Sequence, residues 1–169
     1  MDNKNKEKDK KLIMHDILTI IIVVVITLLF SRYVIGLTSV VGNSMNDTYH
    51  NGDFLLTKKY TKNCKRFDVV DFKTKNNETF IKRIIGLPGE TIKIDTDGNI
   101  YINGEILEEN YGKEKIKNPG NAINEIKLGE NEYFVLGDNR NNSEDSRFDD
   151  VGAINKKDIV GIIMFSKKK

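Results

Sequence analysis

Apolar residues form one long run near the N-terminus and, after it, only short runs separated by polar residues. Residues 12–35 are apolar apart from His15, Asp16 and Arg32. A helix needs about 20 such residues to cross the hydrocarbon core of a membrane. The pattern therefore predicts a transmembrane helix over residues 12–35, with Asp16 and Arg32 at the two interfaces, behind a polar, flexible tail at residues 1–11.

The residues around this run indicate whether the segment is cleaved and how it is oriented in the membrane. A cleaved signal peptide would also combine a basic start with an apolar stretch, but no small-x-small cleavage site follows promptly, which favours a retained anchor. Five lysines precede the run, whereas Arg32 is the one basic residue at its far end before Lys58. The positive-inside rule then predicts a cytoplasmic tail and an extracytoplasmic domain over residues 36–169.

Beyond the anchor, the apolar runs are short and rich in β-branched and aromatic residues. Turn signals such as Asp97-Gly98 and Asn103-Gly104 separate them, which is typical of antiparallel strands. Residues 108–128 are polar and are expected to form an irregular excursion from the sheet. The prediction is a mainly β domain behind a single N-terminal transmembrane helix. The predicted strands are 54–60, 68–72, 79–86, 90–95, 99–104, 132–138 and 159–165.

Charge and rare residue types narrow the function. The formal net charge of +2 over 169 residues is too small to indicate nucleic-acid binding. The lone Cys64 cannot form an internal disulfide. His15 and His50 are the only histidines. A histidine base or a histidine-rich metal site therefore has few candidates, and we expect neither a metal nor a cofactor.

Two segments could carry chemistry. The first is VVGNSMNDT, residues 40–48, although a serine beside glycine in a loop is by itself uninformative. The second is TFIKRIIG, in which strand alternation places Lys82 between Phe80 and Ile84 on one face. Lys82 is then either an edge lysine in water or a desolvated amine. A pKa lowered to about 8 would take roughly 3 kcal/mol and would let the amine deprotonate a serine hydroxyl.

Four segments resemble, in order, the motifs of type I signal peptidases. Any one of them would be weak, but four behind an N-terminal apolar run are specific. The resemblance implies a signal-peptidase-like fold of antiparallel sheets. It also implies a membrane-bound serine endopeptidase that removes signal peptides from secretory preproteins after small residues at −1 and −3. The segments are GNSMNDT (42–48), GDFLLTKKY (52–60), FIKRIIGLPGE (80–90) and GDNRNNSEDSR (137–147).

The resemblance also implies catalytic roles. Ser44 would be the nucleophile and Lys82 the general base, which is the Ser–Lys variant of the serine-protease triad. Ser143 matches the serine that holds the lysine amine in place. The backbone N–H of Ser44 would be one oxyanion donor. Some relatives use a serine hydroxyl as the second donor where this chain has Gly42, so that donor must come from backbone or water.

Eight further residues match family positions that concern ion pairing and substrate binding. Arg83 with Asp138, and Asp145 with Arg147, match structural ion pairs, whose alternative is ordinary surface charge worth under about 1 kcal/mol per pair. An extended substrate would add alongside residues 79–82 through main-chain hydrogen bonds. The residues that match the shallow apolar pockets are Val40, Tyr49, Phe80 and Ile81.

One position departs from the family pattern. The nucleophile motif usually has proline before its threonine, where this chain has Asp47. Because proline pre-sets a turn, its absence would loosen the loop. A carboxylate that pointed inward would also raise the pKa of Lys82. We expect Asp47 to face solvent, and Asp47→Pro would then show whether the loop limits activity.

The chain length and the residue set bear on three rival interpretations. Nine residues, 36–44, follow the predicted helix up to Ser44. They reach about 30 Å at most, so the expected nucleophile lies near the membrane surface.

An inactive, tethered binding domain would not need Ser44, Lys82 and Ser143 together. A self-cleaving Ser–Lys regulator of the repressor type would carry a DNA-binding domain. A secreted soluble enzyme would differ only in losing its anchor.

Overall fold

The computed structural model describes residues 2–59, 63–112 and 114–167. Tyr60, the end of the first predicted strand, lies outside these ranges. The chain forms two compact units, one up to Ile35 and the other from Gly36 onward.

The first unit is one helix, α1, at Asp2–Tyr33. The composition of residues 1–11 predicts a flexible tail, and this prediction is wrong for residues 2–11, which continue the helix. Lysine and glutamate are good helix formers, and extending an existing helix avoids the cost of nucleation. Residues Lys11–Tyr33 are long and apolar enough to cross a membrane, with a mean hydropathy of 2.7.

The second unit is built from short strands, as the runs of β-branched residues predict. Each of the seven predicted runs overlaps an observed strand, and β3 and β11 extend one and two residues beyond their runs. Four strands of two to five residues were not predicted: β1, β7, β8 and β10. The strands are β1 Ile35–Ser39, β2 Phe54–Lys58, β3 Val69–Lys73, β4 Thr79–Gly86, β5 Thr91–Ile94, β6 Ile100–Ile102, β7 Glu105–Ile106, β8 Ile126–Lys127, β9 Glu132–Leu136, β10 Ile154–Asn155 and β11 Ile159–Lys167.

The strands form two sheets. The large sheet has the order β1-β2-β11-β3-β4-β9-β10, and the small sheet has the order β7-β6-β5-β8. In the large sheet, every pair of neighbouring strands from β2 along the sheet to β10 is antiparallel. All the pairs in the small sheet are antiparallel as well. The predicted mainly β fold with one N-terminal apolar helix is confirmed. Residues 108–128 contain a short 3-10 helix at Gly120–Ile123 and end in β8, which pairs with β5.

Strand β4 changes its neighbours along its length. It pairs with β3 from Thr79 to Arg83, whereas β9 pairs only from Arg83 onward. On the side away from β3, no described strand pairs with residues 79–82. We call this side the open edge. Ile84 exchanges backbone hydrogen bonds with the chain leading into β3, so by alternation the backbone N–H and C=O of Ile81 point to the open edge.

The same strand contributes to all three apolar clusters of the domain. Ile81 packs with Val40 and Met45, Ile84 packs with the β3 and β9 residues of a second cluster, and Ile85 packs against the small sheet. Side chains packed on both faces hold β4 in one position. Any group that β4 carries is therefore placed rigidly.

Candidate active site

A tight turn carries Ser44. Hydrogen bonds from the N–H groups of Thr48 and Tyr49 to the carbonyl of Met45 close the turn. Met45 is 2% exposed and anchors the turn in the cluster that contains Ile81. Asn139 holds the turn from the other side, because its backbone N–H donates to the carbonyl of Ser44 at 3.0 Å.

The turn brings Ser44 to Lys82 on β4. Lys82 Nζ donates a hydrogen bond to Ser44 Oγ at 2.7 Å. The lysine is only 4% exposed, so the structure has the buried amine rather than the edge lysine in water. Burial lowers the pKa of Lys82 from its ordinary 10.5 to about 8, and the charges of Asp145, Glu144 and Asp138 oppose this fall.

Ser143 lies close by but does not make the expected contact. Its Oγ is buried and has no hydrogen-bond partner, so in this structure Ser143 does not hold the Lys82 amine through a hydrogen bond. The hydroxyl packs against Gly137 instead. A β-carbon on Gly137 would lie 2.2 Å from Ser143 Oγ and 2.6 Å from the carbonyl oxygen of Ser44. Glycine at this position therefore lets the last motif approach the turn that carries Ser44.

Arg83 and Asp138 form a buried ion pair next to the dyad. Arg83 Nε and Nη2 donate to the two carboxylate oxygens at 2.8 and 2.6 Å. The hydroxyl of Thr48, in the turn that carries Ser44, also donates to Asp138. The Tyr111 ring stacks 3.6 Å from the Arg83 guanidinium carbon. Because both charges are buried, removing one partner would leave the other unpaired, which costs about 3–5 kcal/mol.

Asp145 and Arg147 form a second buried pair. Arg147 Nε and Nη2 donate to the carboxylate at 2.8 and 2.9 Å. Arg147 also donates to the carbonyls of Asn118 and Arg140, and Asp145 accepts from the N–H of Gly137. This pair ties the last motif to the irregular segment before β8. Neither pair is ordinary surface charge.

A cleft of about 470 Å³ runs beside the dyad, between residues 38–45 and residues 79–82. Among the predicted binding residues, Val40, Phe80 and Ile81 line this cleft, whereas Tyr49 does not. Tyr49 packs behind it, against the cluster of Val40 and Ile81. Gly42 lines the cleft, but its N–H donates to Asn51 Oδ1 at 3.0 Å.

Four residues of the site were not singled out in the sequence. Thr48, Gly137 and Asn139 lie inside two of the recognised motifs, where their positions could have indicated a role. Tyr111 lies in the polar excursion, and no sequence signal marks it. Among the residues that the structure describes, no three His, Cys, Asp or Glu side chains are grouped so that they could hold a metal ion.

Asp47 occupies an unusual backbone position. Its side chain is exposed, as expected. Its φ is +87°, in the left-handed region that L-residues rarely adopt. Proline is locked near −65° and could not occupy this position without moving the turn. Asp47 is therefore compatible with the observed loop in a way that the family's proline is not.

Comparison with known proteins gives one consistent result. The model of the family described as signal peptidase, peptidase S26 matches residues 13–166. Signal peptidase I P of Bacillus subtilis subsp. natto is 39% identical, over 94% of this chain and 91% of that protein. Signal peptidase I S of Bacillus subtilis strain 168 is 36% identical, over 98% and 94% respectively.

A solved structure agrees with these relatives. The crystal structure of a signal peptidase I from Enterococcus faecalis V583 matches with a TM-score of 0.51 and 32% identity, covering 62% of this chain and all of that one. An antiparallel β domain that sets a serine hydroxyl against a buried lysine is of the serine endopeptidase class. The chain belongs to the signal peptidase family, peptidase S26, and the predicted family resemblance is confirmed.

Lys82→Met is expected to raise the free energy of unfolding at pH 7. The folded state lowers the pKa of Lys82 from 10.5 to about 8, so the unfolded chain binds more protons between these values. The charged lysine then costs the folded state about 3 kcal/mol below pH 8, and this cost disappears as the pH rises through 10.5. Urea unfolding of wild type and Lys82→Met in detergent, at pH 7 and at pH 10, measures this difference in the free energy of unfolding. The exposed Lys93→Met is the control, and a Lys82→Met variant less stable than wild type at pH 7 would contradict the desolvation argument.

Asp47→Pro is expected to destabilise the protein by more than about 1 kcal/mol, because proline cannot adopt the observed φ. Peptidase activity should fall with it, since Thr48 and its hydrogen bond to Asp138 would move. Asp47→Gly relaxes the same φ and should leave stability within about 1 kcal/mol and activity unchanged. Unfolding midpoints and hydrolysis rates of the two variants show whether the turn requires a positive φ at residue 47. Higher activity in Asp47→Pro would show that the turn has another conformation.

Proposed function

We propose that this protein removes N-terminal signal peptides from exported preproteins, with Ser44 as nucleophile and Lys82 as general base. The observation that carries the proposal is the 2.7 Å hydrogen bond between the amine of Lys82 and the hydroxyl of Ser44. The amine is buried on a rigid strand and beside a cleft that is open to an extended peptide. The names of the related proteins supply the substrate class.

The lowered pKa lets Lys82 act as a base near neutral pH. With a pKa of about 8, roughly a tenth of the amine is neutral at pH 7. The neutral amine takes the proton of Ser44 Oγ as the oxygen attacks the substrate carbonyl. The resulting ammonium then gives that proton to the leaving amine. In a second step, neutral Lys82 takes a proton from a water molecule as that water attacks the acyl-enzyme, and the proton then returns to Ser44 Oγ.

The acidic side chains nearby stabilise the ammonium that forms during attack. Asp145, Glu144 and Asp138 all favour the charged form of Lys82. Because Asp138 and Asp145 are paired with arginines, their fields at the amine are reduced. The lysine therefore remains neutral often enough to act as a base.

The oxyanion of the tetrahedral intermediate needs hydrogen-bond donors. The backbone N–H of Ser44 donates to no described residue and supplies one of them. The N–H of Gly42 is already bonded to Asn51. The second donor therefore comes from another backbone N–H or from water.

The open edge of β4 provides the binding mode. An extended preprotein segment adds as a strand along residues 79–82, where the backbone groups of Ile81 have no strand partner among the described residues. Side chains at −1 and −3 then enter the shallow pockets lined by Val40, Phe80 and Ile81. Pockets of this kind would favour small side chains at −1 and −3, which is the specificity that we propose.

The N-terminal helix is the proposed membrane anchor. Its apolar side chains are exposed all along the membrane-length stretch. The hydroxyls of Thr19, Thr27 and Ser31 donate to backbone carbonyls of the preceding turn, so these polar groups are satisfied without water. Five lysines lie N-terminal to the apolar run at residues 12–35. By the positive-inside rule they favour a cytoplasmic tail, with residues 36–169 outside. The lipid bilayer is then a partner of the protein.

The dyad is tested with detergent-solubilised wild type, Ser44→Ala and Lys82→Ala, incubated with a secretory preprotein. We expect one cut after a small-x-small site. Either substitution should lower the rate by at least about 10³-fold, because each removes a group that acts in the same step. The wild-type rate should rise with pH through an apparent pKa of about 8 as Lys82 loses its proton. Product masses and pH-rate profiles measure these effects.

Lys93→Ala, at an exposed position, is the matched control and should cut at the wild-type rate. If wild type leaves several preproteins intact while a related peptidase cuts them, the proposed reaction is wrong. In that case a binding role for the domain is favoured.

The membrane orientation is tested with single cysteines in membrane vesicles of known sidedness, in a Cys64→Ser background. A cysteine at Lys4 should react with an impermeant maleimide only from the cytoplasmic side. A cysteine at Lys93 should react only from the opposite side. Labelling of both from one side would exclude a single membrane crossing.

A further inference from the structure

Asp71 is a buried carboxylate on the face of β3 that continues the substrate cleft. It is paired across the sheet with Ile81, a cleft residue, and residues paired across antiparallel strands share a face. Val69, two residues earlier on the same face, packs with Val40 and Ile81. Asp71 is only 2% exposed. A carboxylate therefore lies in line with the apolar residues of the cleft.

A second cavity, of about 400 Å³, surrounds this carboxylate. We call it the polar cavity. It shares Thr38, Ser39 and Thr79 with the cleft beside Ser44, so the two are continuous along the open edge of β4. Its lining consists of Gly36, Leu37, Thr38, Ser39, Thr57, Lys59, Asp71, Lys73, Thr79 and Val160.

The carboxylate of Asp71 is only half satisfied. Its Oδ2 accepts a hydrogen bond from Thr38 Oγ1 at 3.1 Å. Its Oδ1 is buried and has no partner. By contrast, both carboxylate oxygens of Asp138 and of Asp145 accept hydrogen bonds from arginines. A buried acceptor without a donor is unfavourable, so a ligand that brings a donor to Oδ1 gains by binding.

The charges around the cavity indicate what kind of donor fits. Burial raises the pKa of Asp71. The hydrogen bond from Thr38, then the nearby backbone N–H groups of Asp71 and Gly161, and last the charge of Lys59 oppose that rise. Neither backbone N–H is aligned well enough to satisfy Oδ1, which has no hydrogen-bond partner. Lys59 and Lys73 both line the cavity. Their positive charges disfavour a cationic ligand there, because like charges repel. A neutral donor, a hydroxyl or an amide, is therefore the chemistry that the site accepts.

The position of the cavity relates it to the substrate. In an extended chain the side chains at −1, −3 and −5 share a face. Thr79 lies three residues before Lys82 on β4, which is about 10 Å along the strand. The cavity therefore lies where the −3 or −5 side chain of a substrate strand would point, whereas −2 and −4 would face away.

We propose that Asp71 is a specificity-determining residue, which accepts a hydrogen bond from a hydroxyl or amide side chain at −3 or −5 of the substrate. The proposal rests on the proposed function for the identity of the substrate. It adds a polar preference to pockets that are otherwise apolar. The contact acts through the carboxylate oxygen that has no partner in the protein alone.

The test compares preproteins that carry threonine or valine at −3, and separately at −5, because these side chains have the same shape and differ in the hydroxyl. Wild type should cut the threonine form about tenfold faster in kcat/KM at one of the two positions. Asp71→Val should reduce this ratio to one or below, since it removes the acceptor. Asp71→Asn, which keeps one acceptor oxygen, should give an intermediate ratio. A ratio of two substrates is insensitive to partial loss of folded enzyme.

Glu78→Gln is the matched control, because it removes an exposed carboxylate at the same end of β4 outside the cavity. It should keep the wild-type ratio. A ratio near one for wild type at both positions, or an unchanged ratio in Asp71→Val, would overturn the proposal.

Binding of the same preproteins to Ser44→Ala separates this proposal from the proposed reaction. Tighter binding of the threonine form without any cleavage by wild type would retain the subsite and reject the reaction. Cleavage by wild type with equal binding and equal rates for both forms would retain the reaction and reject the subsite.

Discussion

The withdrawal of one lysine amine from water is the constraint on which the rest of the active site depends. A lysine at 4% exposure is stable only where packing holds it, and β4 supplies that packing because it contributes to all three apolar clusters. The energetic cost, about 3 kcal/mol at neutral pH, has to be met by the remaining domain. The burial that gives Lys82 the low pKa required by the proposed reaction therefore lowers the stability of the fold.

The two arginines explain how acids can surround this amine without keeping it charged. Asp138 and Asp145 lie close enough to raise the pKa of Lys82, but Arg83 and Arg147 take up most of their charge in bidentate hydrogen bonds. The same pairs also hold the last motif against β4 and the nucleophile turn. The two ion pairs thus weaken the field of the acids at the amine and also fix the position of the last motif. Both effects require the charged groups to be in contact and buried.

The open edge of β4 is the other consequence of this arrangement. An unpaired strand edge usually invites aggregation, and proteins cover or shorten it. Here it is limited to residues 79–82, because β9 covers the rest of the strand. The cleft and the polar cavity both lie along this short stretch. A feature that would be a liability elsewhere is confined to the place where a substrate strand can bind.

The local features of the fold could be predicted from the sequence. The length of the apolar run, the alternation of β-branched residues and the glycine turns predict the membrane-length helix and seven of the strands, since these depend on neighbouring residues. The motifs around Ser44 and Lys82 predict the dyad, because their order along the chain is family-specific. The helical residues 2–11 were missed because polar composition does not show that a helix already formed can be extended.

Features that depend on residues far apart in the chain could not be predicted in this way and are visible only in the folded domain. The short strands such as β8 and β10 have too few residues to give a periodic signal, and partners elsewhere stabilise them. The Ser143 hydroxyl packs against Gly137 instead of bonding to the lysine amine, which no motif indicates. The burial of Asp71 likewise follows from the pairing of β3 with β4 and from Thr38. Such environments are created by long-range packing, which a pattern of neighbouring residues does not encode.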